Sequence, residues 1–122
     1  MGKKKILLAD DEEDIKTVIK LYLESKGYDV VTSYDGLDTL DKVKAEKPDL
    51  ILLDIMMPVI NGFEVCKQLK ADENTSDIPI VMLSAASHAY SVEQAIEAGA
   101  VDYIMKPFEP PRIEAILKKI LG

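Results

Sequence analysis

Five side chains able to do chemistry stand at or just past the ends of short apolar runs. Asp10 and Asp11 follow "ILLA", Asp54 follows "LILL", Ser84 follows "IVML", and Lys106 closes "VDYIMK" ahead of Pro107. Brought together, three carboxylates repel one another, and they tolerate it only if protonated or paired with a cation. Oxygen-only ligands select a hard ion, and a few carboxylates with bound water suit Mg²⁺. Asp10, Asp11 and Asp54 are the ligand candidates, with a backbone carbonyl beyond Asp54 as a further donor. A carboxylate can also attack phosphorus and become an aspartyl phosphate. The cation and Lys106 would then neutralise charge on the transferring group, and Ser84 would donate a hydrogen bond to it. Phosphoryl transfer asks for little more than such positioning and electrostatics.

For these residues to meet, the chain must carry them to one place. Strand-like runs are Lys5–Asp10, Tyr28–Ser33, Asp49–Asp54, Ile78–Ser84 and Val101–Lys106. Helical patterns lie between them. Ile15, Val18, Ile19, Tyr22 and Leu23 follow the i, i+3, i+4, i+7, i+8 spacing, as do Ile113, Ile116, Leu117, Ile120 and Leu121. Weaker stripes are Leu37, Leu40 and Val43; Phe63, Cys66 and Leu69; and Val92, Ala95 and Ile96. Gly27 and Gly99 sit where helices end, and Pro110 and Pro111 where the last one starts. The alternation predicts an α/β fold, a doubly wound five-stranded parallel sheet with five helices on its two faces. Strands 1, 3 and 4 are nearly continuous apolar runs, as buried central strands are. Strands 2 and 5 carry Asp29, Thr32 and Asp102, which suits edges. The expected order is 2-1-3-4-5, of the flavodoxin-like kind, with right-handed crossovers. Ligands in such a sheet bind at the C-terminal ends of the strands near the switch point between strands 1 and 3. All five chemical side chains belong to that rim.

The pieces "LLADDEED", "LILLDIMMPVINGFEV", "IVMLSA" and "VDYIMKPF" resemble the receiver domain of two-component response regulators, including the chemotaxis-regulator type. The resemblance covers the whole chain and implies one receiver domain over residues 1–122. It implies that Asp54 accepts a phosphoryl group from a sensor histidine kinase or phosphotransfer protein. It implies Mg²⁺ on Asp10, Asp11, Asp54 and the backbone carbonyl of Met56, with Lys106 pairing with the phosphate. Ser84 and Tyr103 match the family's switch pair, a hydroxyl that moves toward the phosphate and a ring that turns inward. The Lys106–Pro107 bond matches one that is cis in the family, which only an X–Pro bond adopts cheaply. The implied output is a downstream effector or a homodimer docking on helix 4, strand 5 and helix 5. The chain would be a switch, not an enzyme, catalysing only its own phosphorylation and dephosphorylation. Met56 and Ala86 flank the site with apolar groups where family members often carry polar residues that position hydrolytic water. Slow autodephosphorylation is the expectation.

Composition excludes other classes. The net charge of -7 and the lone arginine, Arg112, argue against direct nucleic-acid binding by this chain. Cys66 is the sole cysteine, so neither an internal disulfide nor a thiolate metal site can form. No apolar run approaches the roughly 20 residues of a membrane span, so a cytoplasmic protein without a membrane partner is expected. A Mg²⁺-dependent phosphatase of the haloacid-dehalogenase type is the rival reading. It wants a second acid two residues after the nucleophile, where Met56 stands. An FMN carrier must cradle a phosphate in its first loop, which "DDEED" would repel.

Each residue taken singly has a plainer reading. Asp11 could cap the first helix, with Glu12 and Glu13 favoured by its dipole. Asp54 could form a turn before Met-Met-Pro. Lys106 could be a solvated lysine, Ser84 a strand-end hydroxyl, Tyr103 an edge-strand aromatic and Met57 packing under the loop. Cys66 fits a helix-face core position, and His88 an exposed loop. Gly62 would free the backbone before a helix. Whether the chain acts alone or within a longer regulator is left open by the sequence.

Overall fold

In the computed structural model, which describes residues 2–85 and 91–122, apolar runs and amphipathic stretches alternate as strands and helices. They are β1 (Lys5–Ala9), α1 (Glu13–Ser25), β2 (Asp29–Ser33), α2 (Gly36–Glu46), β3 (Leu50–Asp54), α3 (Gly62–Ala71), β4 (Ile80–Ala85), α4 (Ser91–Ala98), β5 (Asp102–Lys106) and α5 (Pro110–Leu121). The sheet is parallel, in the order β2-β1-β3-β4-β5. That is the expected order, with the polar-containing strands at the edges.

Local chemistry sets most boundaries. Asp35 caps α2 by accepting the Asp38 N–H at 2.7 Å, and Asn61 caps α3 by accepting the Glu64 N–H at 3.0 Å. Pro110 and Pro111 occupy the first turn of α5, where an N–H is not needed. Gly27 (φ 97) and Gly99 (φ 107) take the left-handed conformation that ends α1 and α4. The start of β4 differs from expectation. It begins at Ile80 rather than Ile78, because Pro79 has no N–H to give a ladder.

Strand alternation sorts the core into two layers. Leu7, Ala9, Ile51, Leu53, Ile80 and Met82 face α2, α3 and α4. Ile6, Leu8, Leu50, Leu52, Val81, Leu83 and Ile104 face α1 and α5. Because successive side chains point to opposite faces, this alternation decides which rim residues can meet. Periodicity overstated the helix stripes: Val18, Leu37, Val92 and Ile96 are exposed. A helix on an open sheet buries a narrower strip than its apolar pattern spans.

Candidate functional site

Asp10, Asp54 and Lys106 each lie two residues beyond a side chain of the α1/α5 layer, namely Leu8, Leu52 and Ile104. The period of two therefore puts all three on the same face, at the C-terminal ends of β1, β3 and β5. Ala9 pairs with Leu53, so Asp10 and Asp54 follow side by side at the rim. Lys106 reaches across to them. Its Nζ is 2.9 Å from Asp10 Oδ2, 3.2 Å from Glu12 Oε1 and 3.5 Å from Asp54 Oδ2. The plain reading of Lys106 as a solvated lysine is overturned, since its side chain is only 13% exposed.

Asp10 is wholly buried, and both of its oxygens are committed. Oδ1 accepts the Glu12 N–H at 2.9 Å and Oδ2 accepts from Lys106. This local turn corrects the expected cap: Glu12, not Asp11, stands at the N-cap of α1, and its side chain makes no capping bond. Asp11 is exposed beside it. Asp54 is 4% exposed, and its Oδ1 accepts the Met56 N–H at 3.3 Å. Burial first, and then the Asp10 charge, push its carboxyl up from 3.8 to about 6. Lys106 and the Met56 N–H pull the other way and Asp11 adds a smaller upward push. Lys106 itself titrates above its ordinary value. Burial, the largest influence, would lower it, but the bond to Asp10 and the charges of Asp54 and Asp10 outweigh that.

The remaining candidates are not all brought to Asp54. Ser84 is buried at the end of β4, opposite Met105 on β5, on the other side of the sheet from the Asp54 side chain. Tyr103 is half-buried against the α2–α4 layer. Met56 is exposed and Met57 buried. Cys66 is buried, its thiol donating to the Ala98 carbonyl at 3.3 Å, and burial pushes it up to about 11. It is a core residue. The Lys106–Pro107 bond is cis. Ala86 and His88 lie outside the described residues.

Two features were missed. Glu12 joins Lys106 across the site, a contact between positions far apart in the chain that no local pattern signals. Gly62 is required by close approach, not by backbone freedom. A Cβ there would lie 2.6 Å from the Asp54 carbonyl oxygen and 2.7 Å from Ile55 Cα. The β3–α3 turn folds back on itself there, with the Gly62 N–H donating to the Ile55 carbonyl at 2.8 Å.

The donor set fits a hard divalent cation. Carboxylate oxygens of Asp10, Asp11 and Glu12 lie within 4.8 Å of one another. With Asp54 they make four acids, and among the described residues the Lys106 ammonium alone contacts them, which leaves the buried Asp54 under-neutralised. A phosphatase has no second acid to use here, since position 56 is an exposed methionine.

A model of the family described as "Response regulator receiver domain" matches residues 6–118. The alkaline phosphatase synthesis transcriptional regulatory protein PhoP of Bacillus subtilis is 48% identical over 118 residues, covering 97% of this chain and 48% of that protein. The DNA-binding response regulator MtrA of Mycolicibacterium paratuberculosis is 41% identical over 113 residues, covering 93% of this chain and 49% of that protein. The chain thus spans about half the length of the curated relatives it matches. A putative response regulator of Chloroflexus aurantiacus superposes with a TM-score of 0.94 at 32% identity, covering 98% of both chains. The chemotaxis response regulator CheY4 of Vibrio cholerae does so with a TM-score of 0.90 at 30% identity, covering 97% of this chain and 98% of that one. None of these matches supports the phosphatase reading.

Proposed function

The chain belongs to the response regulator receiver domain family, and from that premise we propose that Asp54 is its phosphoacceptor, in a single receiver domain spanning residues 1–122. The observation that carries this is the Lys106 ammonium held between the buried carboxylates of Asp10 and Asp54 at the switch-point rim. An Asp54 oxygen attacks the phosphorus of a phosphohistidine on a sensor histidine kinase or phosphotransfer protein. The P–N bond breaks, its electron pair returns to the imidazole, and an acyl phosphate forms on Asp54. Asp10, Asp11, Asp54 and the Met56 carbonyl would hold Mg²⁺, which neutralises charge on the transferring group when bound. Lys106 pairs with a phosphoryl oxygen, and the Ser84 hydroxyl donates to another. Lys106 is already in place beside Asp54, whereas Ser84, on the neighbouring strand but on the other side of the sheet, must turn to reach the phosphoryl group.

The readout follows from Ser84 and Tyr103 lying on adjacent strands on the side of the sheet that α4 covers. As Ser84 turns to the phosphate, Tyr103 moves inward and the α4/β5/α5 surface changes shape. Exposed Ile96, Val101 and Met105 on or beside these elements favour a downstream effector or a second copy docking there. The chain is then a switch and not a turnover enzyme. The proposed location of the chain is the cytoplasm, and among the described residues no helix is long and apolar enough to cross a membrane. The test uses phosphoramidate, a small P–N donor, with Mg²⁺. One phosphoryl group per chain should accumulate, and excess p-nitrophenyl phosphate should not be turned over. Catalytic turnover of that ester would sink the reading.

A further inference from the structure

Three carboxylates surround the Lys106 ammonium, and under the functional reading above two of them have other work to do. Asp10 has both oxygens engaged, one by the Glu12 N–H and one by Lys106. A divalent cation arriving at Asp10 repels the ammonium held 2.9 Å from Oδ2 and draws on the same negative charge, so the lysine's hold there weakens. Asp54 must present an oxygen to phosphorus. Glu12 has neither task. Its side chain is 57% exposed, so its charge is kept by water at little cost, while its Oε1 stays 3.2 Å from Lys106 Nζ. Without Glu12 the ammonium's partners would be Asp10 and Asp54, where it competes with the cation and with the incoming phosphoryl group. From this geometry we propose that Glu12 is a positioning residue. It receives the Lys106 ammonium as the hold of Asp10 weakens, and keeps it at the rim beside Asp54. The inference rests on the phosphoacceptor reading and concerns the metal-binding step within it.

An ion pair with one exposed partner shifts an equilibrium by about two- to five-fold. Glu12→Gln should therefore weaken Mg²⁺ binding, measured by calorimetry without a phosphodonor, by about that factor. The Glu12 oxygen also lies close to those of Asp10 and Asp11, so its charge could act on the ion directly. A double-mutant cycle separates the two. In a Lys106→Met background, Glu12→Gln should leave Mg²⁺ affinity unchanged if Glu12 acts through the lysine. An equal loss in both backgrounds would overturn the proposal.

Lys106→Met leaves two buried carboxylates without their counter-ion, so a second measurement keeps the lysine. Solvent exchange of the Lys106 ammonium protons, followed by ¹⁵N NMR in saturating Mg²⁺, should be faster in Glu12→Gln than in the unsubstituted protein. Equal exchange rates would overturn the proposal. If Mg²⁺ binds, Asp54 is phosphorylated and Glu12→Gln changes neither quantity, the inference about Glu12 alone fails. If the unsubstituted protein shows no saturable Mg²⁺ binding, the functional reading fails with it.

Discussion

Replacing Asp54 by asparagine should stabilise the protein, and the gain should depend on pH in a defined way. The Asp54 carboxyl titrates at about 6 in the folded chain against 3.8 unperturbed. Below the lower value it is neutral in both states and carries no penalty. Between the two values the folded chain keeps a proton that the unfolded chain has lost, so stability falls as pH rises. Above about 6 the loss is complete. The difference between the two values corresponds to about 3 kcal/mol at neutral pH, and to about 0.5 kcal/mol at pH 4. Asparagine is neutral throughout, keeps an oxygen for the Met56 N–H, and leaves Lys106 its bond to Asp10. The assay is urea unfolding of the two proteins in chelator at about pH 8 and about pH 4, where two-state extrapolation gives the difference directly. The asparagine variant should be more stable by about 3 kcal/mol at the higher pH and nearly equal at the lower. Added Mg²⁺ should narrow the gap by binding the folded unsubstituted protein. A gap that does not change with pH, or a less stable variant at the higher pH, would refute the view of Asp54 as a strained, under-neutralised carboxylate.

Other outcomes follow from the same geometry. Val59, three residues after Met56, is an exposed β-branched residue held at φ 72. Val59→Asn, which tolerates the left-handed region, should stabilise by about 1 kcal/mol in urea unfolding, and a loss would contradict the strain. Gly62→Ala must push the Asp54 backbone, so it should cost about 2 kcal/mol or more and slow phosphorylation of Asp54, whereas an unimpaired variant would show the turn to be slack. Phospho-Asp54 should be long-lived, and Met56→Asn with Ala86→Glu should shorten its half-life by supplying groups that orient water. No change in half-life would remove those positions from the account.

How much of this could be read beforehand differs residue by residue. Leu8, Leu52 and Ile104 face one layer, so the period of two commits Asp10, Asp54 and Lys106 to a common face once the strand order is known. Strand order was itself legible, because Asp29, Thr32 and Asp102 interrupt the near-continuous apolar runs that the central strands carry. Glu12 was read only as a helix-dipole residue. Its contact depends on how the β1–α1 turn aims a side chain at a lysine on the opposite side of the switch point. Gly62 was read as backbone freedom, because a steric demand from Asp54 and Ile55 leaves no mark in the local pattern. Val18 and Ile96 fit helical periodicity yet face solvent, since apolar spacing records a stripe without recording how wide the partner surface is.

The most direct measurement is to locate the phosphoryl group. The protein is phosphorylated with a small donor and Mg²⁺, reduced with borohydride to convert an acyl phosphate to an alcohol, digested, and mapped by tandem mass spectrometry. The account predicts homoserine at position 54, dependent on Mg²⁺ and absent from Asp54→Asn. A reduced residue elsewhere, or phosphorylation that persists in Asp54→Asn, would contradict it.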